Sequence, residues 1–208
     1  MAATKNQVDY KKAYKELYGA KTVPCVVTVP PIRFAMAQGE GDPNEEAFSL
    51  LTAALYSFSY AVKMSYKSAN VPMGYYDYKV FPLEGLWDLI DPVKGSTDKQ
   101  NYKYTLMIRQ PDFLTNELFE RFLDQTKTKK ANDMLERVYL EEAEEGLCCQ
   151  MLHIGPYDDE PASFEQMMKY CREEGYQRSS LLHREIYLSD PRKTAPEKLK
   201  TILRFQIQ

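Results

Sequence analysis

No run of 18 apolar residues occurs in this 208-residue chain, and its opening stretch, MAATKNQVDYKKAYKELYG, lacks the apolar segment of a secretory signal. The sequence also lacks a basic stripe, and its net charge of −3 argues against a nucleic-acid-binding surface. With 44% hydrophobic and 27% charged residues, the composition is typical of a folded globular domain. We therefore expect a cytoplasmic protein that binds neither a membrane nor nucleic acid directly.

Cysteine and histidine are too few and too scattered to suggest a metal site. The four cysteines form no CxxC pair. The two histidines, His153 and His183, are not spaced from the cysteines as the ligands of a zinc site are. Neither histidine belongs to a known nucleophile motif with serine or cysteine, and no GxSxG elbow is present. We expect no metal and no organic cofactor. The sequence does not indicate the oligomeric state.

Aromatic residues, in contrast, are plentiful. The chain has 16 Tyr and nine Phe, although only one Trp. Tyrosine combines an apolar ring with a polar hydroxyl, so it suits a packed core and also a pocket for flat organic molecules. Composition alone does not separate these two uses.

Hydrophobic periodicity predicts an alternation of helices and strands. Helices are predicted at about 8–19, 45–66 (with Asn44 as N-cap), 115–130, 132–146 and 160–174. Strands are predicted at about 32–38, 76–87, 101–111, 147–155, 181–190 and 199–207. This mixture indicates an α+β fold.

The element order repeats along the chain. Both halves read strand, Gly-containing turn, helix, strand, strand, and a shift of 116 residues places Gly39 on Gly155. We predict one domain over 1–208, built from βαββ modules at 32–111 and 147–208 and joined by a helical connection at 112–146. The helix-free faces of their antiparallel sheets would then pair and enclose a central ligand cleft.

The segment HREIYLSDP, residues 183–191, bears on that cleft. Side chains alternate along a strand, so His183, Glu185 and Tyr187 share one face and Ile186 and Leu188 the other. We expect Ile186 and Leu188 to pack under the helix that begins near residue 160, and Glu185 to point into the cleft. The alternative is an ordinary strand with one wetted face, on which Glu185 is simply solvated.

Several long blocks resemble the GyrI-like small-molecule-binding family, and specifically its stand-alone bacterial branch. They are YKKAYKELYGAK, VPPIRFAMAQGEGDPN, FPLEGLW, EEGLCCQMLHIGPYDDEPASFEQM and HREIYLSDPRKTAPEKLKTILR. The resemblance covers nearly the whole chain and is least distinctive at 112–146. It implies a pair of βαββ modules, in agreement with the repeat.

The resemblance also implies a function. Relatives are effector-binding domains of multidrug-responsive transcription activators, in which a pocket glutamate meets cationic aromatic drugs. Stand-alone members hydrolyse the cyclopropane ring of cyclopropanoid DNA-alkylating genotoxins of the yatakemycin and duocarmycin class. The family's pocket glutamate matches Glu185, its following tyrosine matches Tyr187, and its aromatic wall matches Trp87.

These matches suggest chemical roles. Desolvation should raise the proton affinity of Glu185 and suit it to act as a general base, while the Tyr187 phenol would donate to a developing oxyanion. Trp87 would stack on the ligand, although a lone tryptophan is more often a core residue. A backbone-bonded Tyr187 is an equally good interpretation, as is a donor tyrosine from the first module.

Three further residues are candidates for ligand contact: Glu84, Tyr157 and His183. Strict alternation places Glu84 and Trp87 on opposite faces unless Gly85 forms a bulge, and an exposed carboxylate is the favoured alternative for Glu84. Tyr157, in the turn GPYDDE, would either line the pocket rim or face solvent.

The sequence therefore favours an enzyme that opens the cyclopropane of a flat aromatic ligand, and suggests cellular protection as its purpose. A protein that sequesters cationic or amphipathic aromatic compounds without turnover is the main alternative. A partner-binding protein, like the gyrase-inhibiting relatives that named the family, is a third.

Overall fold

Eight antiparallel strands form one continuous sheet in the order β1-β6-β8-β7-β3-β4-β2-β5. The computed structural model describes residues 7–208. The strands are β1 Cys25–Val29, β2 Ile32–Glu40, β3 Leu83–Leu89, β4 Tyr102–Arg109, β5 Tyr139–Ala143, β6 Gly146–Ile154, β7 His183–Tyr187 and β8 Lys200–Gln206. The helices are α1 Tyr10–Ala13, α2 Lys15–Tyr18, α3 Glu46–Lys63, α4 Asn116–Lys129 and α5 Glu160–Glu173. The predicted α+β fold is confirmed.

The two halves join edge to edge. Strand β3 of the first half is hydrogen-bonded to β7 of the second, with Gly85 opposite Glu185 and Trp87 opposite His183. We had expected the halves to meet through free sheet faces. Pairing β3 with β7 satisfies the backbone groups of two strands that would otherwise be exposed edges.

Helices α3 and α5 lie on the same face of this sheet. The apolar stripe of α3, with Leu51, Leu55 and Phe58 fully buried, packs on β2 and β4. The stripe of α5, with Met167 and Cys171 buried, packs on Cys149, Leu203 and Phe205 of β6 and β8. The two helices therefore cover opposite ends of one face and leave the middle strands, β3 and β7, between them.

The opposite face is covered by the N-terminal segment. Leu17 and Tyr18 of α2 are buried in the same cluster as Ile186 of β7. The expectation that Ile186 and Leu188 pack under α5 is therefore wrong. Their face of β7 points to the N-terminal segment, and Glu185 points to the face that carries the helices.

Two predicted elements differ from the structure. The helix expected at 132–146 is instead a short 3-10 turn, Asp133–Arg137, followed by strand β5. Strand β5 pairs with the edge of β2, and this pairing overrides the helical propensity of Leu, Glu and Ala. The strand predicted at 76–87 begins only at Leu83, directly after Pro82.

The helix starts also differ in detail. The helix predicted at 8–19 breaks at Tyr14 into α1 and α2. The N-cap position of helix α3 is Glu45 rather than Asn44, and its side chain makes no capping hydrogen bond. The Asn44 backbone and side chain both donate to Asp42. Within residues 7–208, no helix has the length and apolarity to cross a membrane.

Candidate functional site

Between α3 and α5, the middle strands β3 and β7 carry a cluster of polar and aromatic side chains on the helix-bearing face, and we call this part of the face the groove. We define the groove by its floor residues Trp87, Glu185 and Tyr187, by Phe48 of α3 and by Glu160 of α5. Its floor residues come from the paired strands β3 and β7, so their backbone positions are set by the sheet ladder. The strand pattern thus correctly put His183, Glu185 and Tyr187 on one face.

A chain of hydrogen bonds links the floor residues. The Trp87 indole nitrogen donates to the Tyr187 hydroxyl at 2.9 Å, and that hydroxyl donates to Glu185 Oε2 at 2.7 Å. His183 Nε2 lies 3.3 Å from the other oxygen, Glu185 Oε1. The Glu185 side chain is only 12% exposed, so both of its oxygens depend on protein partners.

Gly85 makes room for this chain. A Cβ at this position would lie 2.6 Å from Trp87 Nε1 and 3.1 Å from the Tyr187 hydroxyl. Regular pairing of β3 with β4 continues through Gly85, so there is no bulge. The glycine is required here for close approach of side chains.

Glu160 is the residue that the sequence analysis missed. It begins α5 and is 6% exposed, and its carboxyl group lies near enough to Glu185 to feel the charge of that carboxylate. Its Oε1 is buried without any donor. Burial, and then the negative charge of Glu185, raise the pKa of Glu160 well above its ordinary value. The only sequence signal was the acidic run DDE before a helix, which usually reflects the helix dipole.

Aromatic rings surround the floor. Phe48 stacks on Trp87 at 6.0 Å between ring centroids, and Tyr104 and Tyr102 contact the same indole at 5.1 and 5.7 Å. Tyr157, which is 37% exposed, meets Tyr187 edge-on at 5.9 Å. Trp87 itself is 7% exposed, so it is both a core residue and part of the groove.

Phenol groups in and around the groove are held neutral. Burial, and then the charge of Glu185, raise the pKa of Tyr187 well above its ordinary value. The same two causes raise the pKa of Tyr157 to about 12, and raise that of Tyr102. Each phenol thus keeps its proton near neutral pH and can only donate or accept a hydrogen bond.

The structure does not bring Glu84 to the groove. Its carboxylate is 1% exposed on the opposite face, where it pairs with Arg184 Nη1 at 3.0 Å and accepts from the Tyr18 hydroxyl at 3.0 Å. Glu145 lies 3.2 Å from Arg184 Nε, without the alignment of a hydrogen bond, and 3.4 Å from Arg204 Nη1. The alternative that Glu84 is solvent-exposed is wrong, because its side chain is buried and its charge is neutralised by Arg184.

His153 has a structural role beside the groove. Its Nε2 lies 3.0 Å from the Pro156 carbonyl, and its Nδ1 lies 2.9 Å from Ser163 Oγ. A carbonyl only accepts, so the tautomer with hydrogen on Nε2 satisfies both contacts. His153 therefore holds the turn that carries Tyr157 to helix α5.

The cavities described in the structure lie apart from the Glu185 carboxylate. The larger, of about 230 Å³, is lined by Arg33, Arg109 and their neighbours. The smaller, of about 110 Å³, reaches His183 but also borders Arg184 and Glu145. Across residues 7–208, no three His, Cys, Asp or Glu side chains are grouped so as to hold a metal ion.

Comparison with known proteins agrees with this architecture. The sequence model of the GyrI-like small molecule binding domain matches residues 23–208. The chain belongs to the GyrI-like small-molecule-binding family. No functionally curated protein matches the sequence.

Solved structures give the same result. An uncharacterized conserved protein from Listeria innocua superposes with a TM-score of 0.91 at 38% identity, covering 97% of this chain and all of its own. A protein described as a hydrolase, also from Listeria innocua, has a TM-score of 0.90 at 37% identity over 98% of this chain and all of its own. The EcmrR C-terminal domain shares only the fold, with a TM-score of 0.56 at 13% identity over 89% of this chain and 96% of that one.

Proposed function

We propose that this protein is a hydrolase that opens the cyclopropane ring of flat, cyclopropanoid DNA-alkylating compounds, and that the groove is its active site. The observation that carries the proposal is the Glu185 carboxylate, which is 12% exposed, accepts a hydrogen bond from Tyr187 and has a second buried carboxyl group, Glu160, as a neighbour. The hydrolase description of similar proteins from Listeria innocua supports the enzyme class, but not the substrate.

The reaction requires a base and a proton donor. In such compounds the cyclopropane is conjugated to a dienone, so water attacks the unsubstituted ring carbon, and the breaking C–C bond sends its electron pair to the carbonyl oxygen. Glu185 accepts the proton of the attacking water, and the carbonyl oxygen gains a proton as the dienone becomes a phenol. The net change is the addition of one water, and the proton on Glu185 then restores the donor. Positioned proton transfer contributes roughly 10²–10⁴-fold.

The hydrogen bonds favour Glu160, rather than Tyr187, as the donor. The Tyr187 proton is already directed to Glu185 Oε2, whereas Glu160 has a buried Oε1 without a partner. A carboxyl with a raised pKa keeps its proton to higher pH than an ordinary glutamate, and it is a stronger acid than a phenol whose pKa is also raised. We therefore assign Tyr187 to orienting Glu185, and Glu160 to protonating the carbonyl oxygen.

The aromatic side chains would bind the ligand. Phe48 and Trp87 offer ring faces on the groove floor and the α3 wall, and Tyr157 covers Tyr187 from a short turn. A flat ligand would take the place of the Tyr157 ring, which is the more exposed of these groups. Ligand binding then requires the turn Tyr157–Asp159 to move outward.

Turnover tests the proposal. Sub-stoichiometric protein is incubated with a duocarmycin-type cyclopropanoid, and the hydrolysed product is quantified by mass spectrometry. We expect many product molecules per protein, and loss of turnover in Glu185→Gln, which keeps the side chain's shape but removes the base. Product that never exceeds the amount of protein would refute the enzymatic function. Normal turnover in Glu185→Gln would refute the mechanism alone.

Sequestration of cationic aromatic compounds is the second candidate. The charges of Glu185, Asp158 and Asp42 all act on Tyr102 at one end of the groove, which makes the local potential negative. Negative charge beside aromatic faces favours a flat cation. In that case, compounds would bind at the groove and be recovered unchanged.

A further inference from the structure

Two buried, neighbouring carboxyl groups in the groove raise the question of how many protons they carry. Glu160 and Glu185 come from different elements, α5 and β7, and the fold holds them together. Glu185 accepts one hydrogen bond from Tyr187, its neighbour on β7, but Glu160 Oε1 is buried with no donor. An ionised Glu160 would therefore be an uncompensated buried charge beside a like charge, which is costly.

We propose that Glu160 and Glu185 hold one proton between them in the unliganded protein, and that this proton sorts ligands by charge. A neutral aromatic ligand leaves the proton in place, where it can be donated. A cationic aromatic ligand displaces the proton to solvent, because the cation then compensates the second carboxylate. This inference rests on the function proposed above, because it takes the groove as the ligand site.

The surroundings of Glu160 support this assignment. Its titratable neighbours are Glu185, His183 and Tyr187 on β7, Tyr102 on β4, and Tyr157, Asp158 and Asp159 in the preceding turn. These groups are acids or neutral phenols, apart from His183, which contacts Glu185 Oε1. Lys99 Nζ is 4.0 Å from Asp158, but that pair is at the surface, with side chains 45% and 87% exposed. A bound cation is thus better placed than these groups to replace the proton.

The proposal makes binding pH-dependent for one class of ligand. When a cation expels one proton, its affinity rises about tenfold per pH unit, from about pH 5 up to the pKa of Glu160 in the folded protein. Affinity for a neutral ligand of the same shape stays level over that range. The difference separates proton exchange from a general effect of pH on the groove.

Calorimetry of the whole protein gives the direct test. The probes are 10-methylacridinium, a permanent cation, and 10-methylacridone, a flat analogue that stays uncharged over the whole pH range used. Titrating each probe at about pH 6 in two buffers with different enthalpies of ionisation counts the protons released. We expect about one proton for methylacridinium and none for methylacridone.

Two variants identify the group that loses the proton. Glu160→Gln is expected to abolish proton release, while His183→Gln, which removes the imidazole that contacts Glu185, is expected to retain it. Release that disappears with His183→Gln and persists with Glu160→Gln would overturn the inference. Failure of methylacridinium to bind, or binding without release, would also overturn it.

The wild-type pH series keeps the test decisive if Glu160→Gln does not fold. An affinity for methylacridinium that rises about tenfold per pH unit supports the proposal, and a flat profile contradicts it. Proton release without turnover of a cyclopropanoid would refute the hydrolase function and leave this inference standing. Turnover without proton release would refute this inference and leave the hydrolase function standing.

Discussion

Glu84 and Glu185 lie on neighbouring hydrogen-bonded strands, yet their carboxylates point to opposite faces of the sheet. Glu185 is opposite Gly85 of the neighbouring strand. Glu84 precedes Gly85 in that strand, so its side chain projects to the other face of the sheet. One carboxylate is neutralised by buried Arg184, and the other faces the groove beside Glu160. The pair offers a matched contrast between a structural and a functional glutamate.

We predict that Glu84→Gln and Glu185→Gln have opposite effects. Glu84→Gln leaves Arg184, which is 2% exposed, short of a counter-charge, and is expected to lower the free energy of unfolding by about 3 kcal/mol. Glu185→Gln is expected to remove turnover with a smaller change in stability. Urea denaturation and a product assay on the folded fraction give the two readouts. Loss of activity from folded Glu84→Gln would contradict the assignment.

Tyr187→Phe separates the two roles considered for this phenol. If Tyr187 orients Glu185, loss of one hydrogen bond costs about 1 kcal/mol, and kcat falls roughly fivefold. If it were the proton donor, kcat would fall roughly 10²–10³-fold. Tyr75→Phe is the control, because the Tyr75 hydroxyl donates to the Lys63 carbonyl, outside the groove. For Tyr187→Phe we expect the smaller, roughly fivefold fall in kcat.

Gly85→Ala is predicted to damage the groove through sterics. The new Cβ would lie 2.6 Å from Trp87 Nε1, so the indole must move and release the Tyr187 hydroxyl. We expect a stability loss of about 1–3 kcal/mol and weaker ligand binding. Trp87→Phe serves as the comparison, since it removes the same N–H without a clash. Tryptophan fluorescence reports the displacement of Trp87, and an unchanged spectrum in Gly85→Ala would argue against it.

The raised pKa of Glu160 predicts how stability depends on pH. A group whose pKa is higher in the folded state binds more protons there than when unfolded. Its stabilising contribution is complete below the unfolded pKa, about 4.3, and is lost as pH rises towards the folded pKa. The slope reaches about 1.4 kcal/mol per pH unit.

Glu160→Gln should remove this slope, because glutamine does not titrate. The measurement is urea denaturation of both proteins between about pH 5 and pH 8. Relative to the wild type, the variant is expected to gain stability as pH increases. Parallel stability profiles for the two proteins would show that Glu160 ionises freely in the folded state.

Local sequence patterns predicted much of the fold, since the period of a strand or helix depends on nearby residues. They located α3, α4, β4, β6 and β8 to within a few residues, and put His183, Glu185 and Tyr187 on one strand face. They failed for β5, whose Leu- and Glu-rich sequence suits a helix. Its strand conformation comes from pairing with β2. The paired residues Ile32 and Ala143 are more than 100 residues apart in the sequence.

Tertiary structure alone decided what each face of the sheet meets. Alternation specifies that neighbouring side chains of a strand point opposite ways, but not which side will carry a helix. Glu185 meets Glu160 because α5 crosses back over the sheet, and Glu84 meets Arg184 because β3 and β7 pair across a separation of 100 residues. Such contacts depend on how distant segments pack, and no short-range spacing in the sequence encodes them.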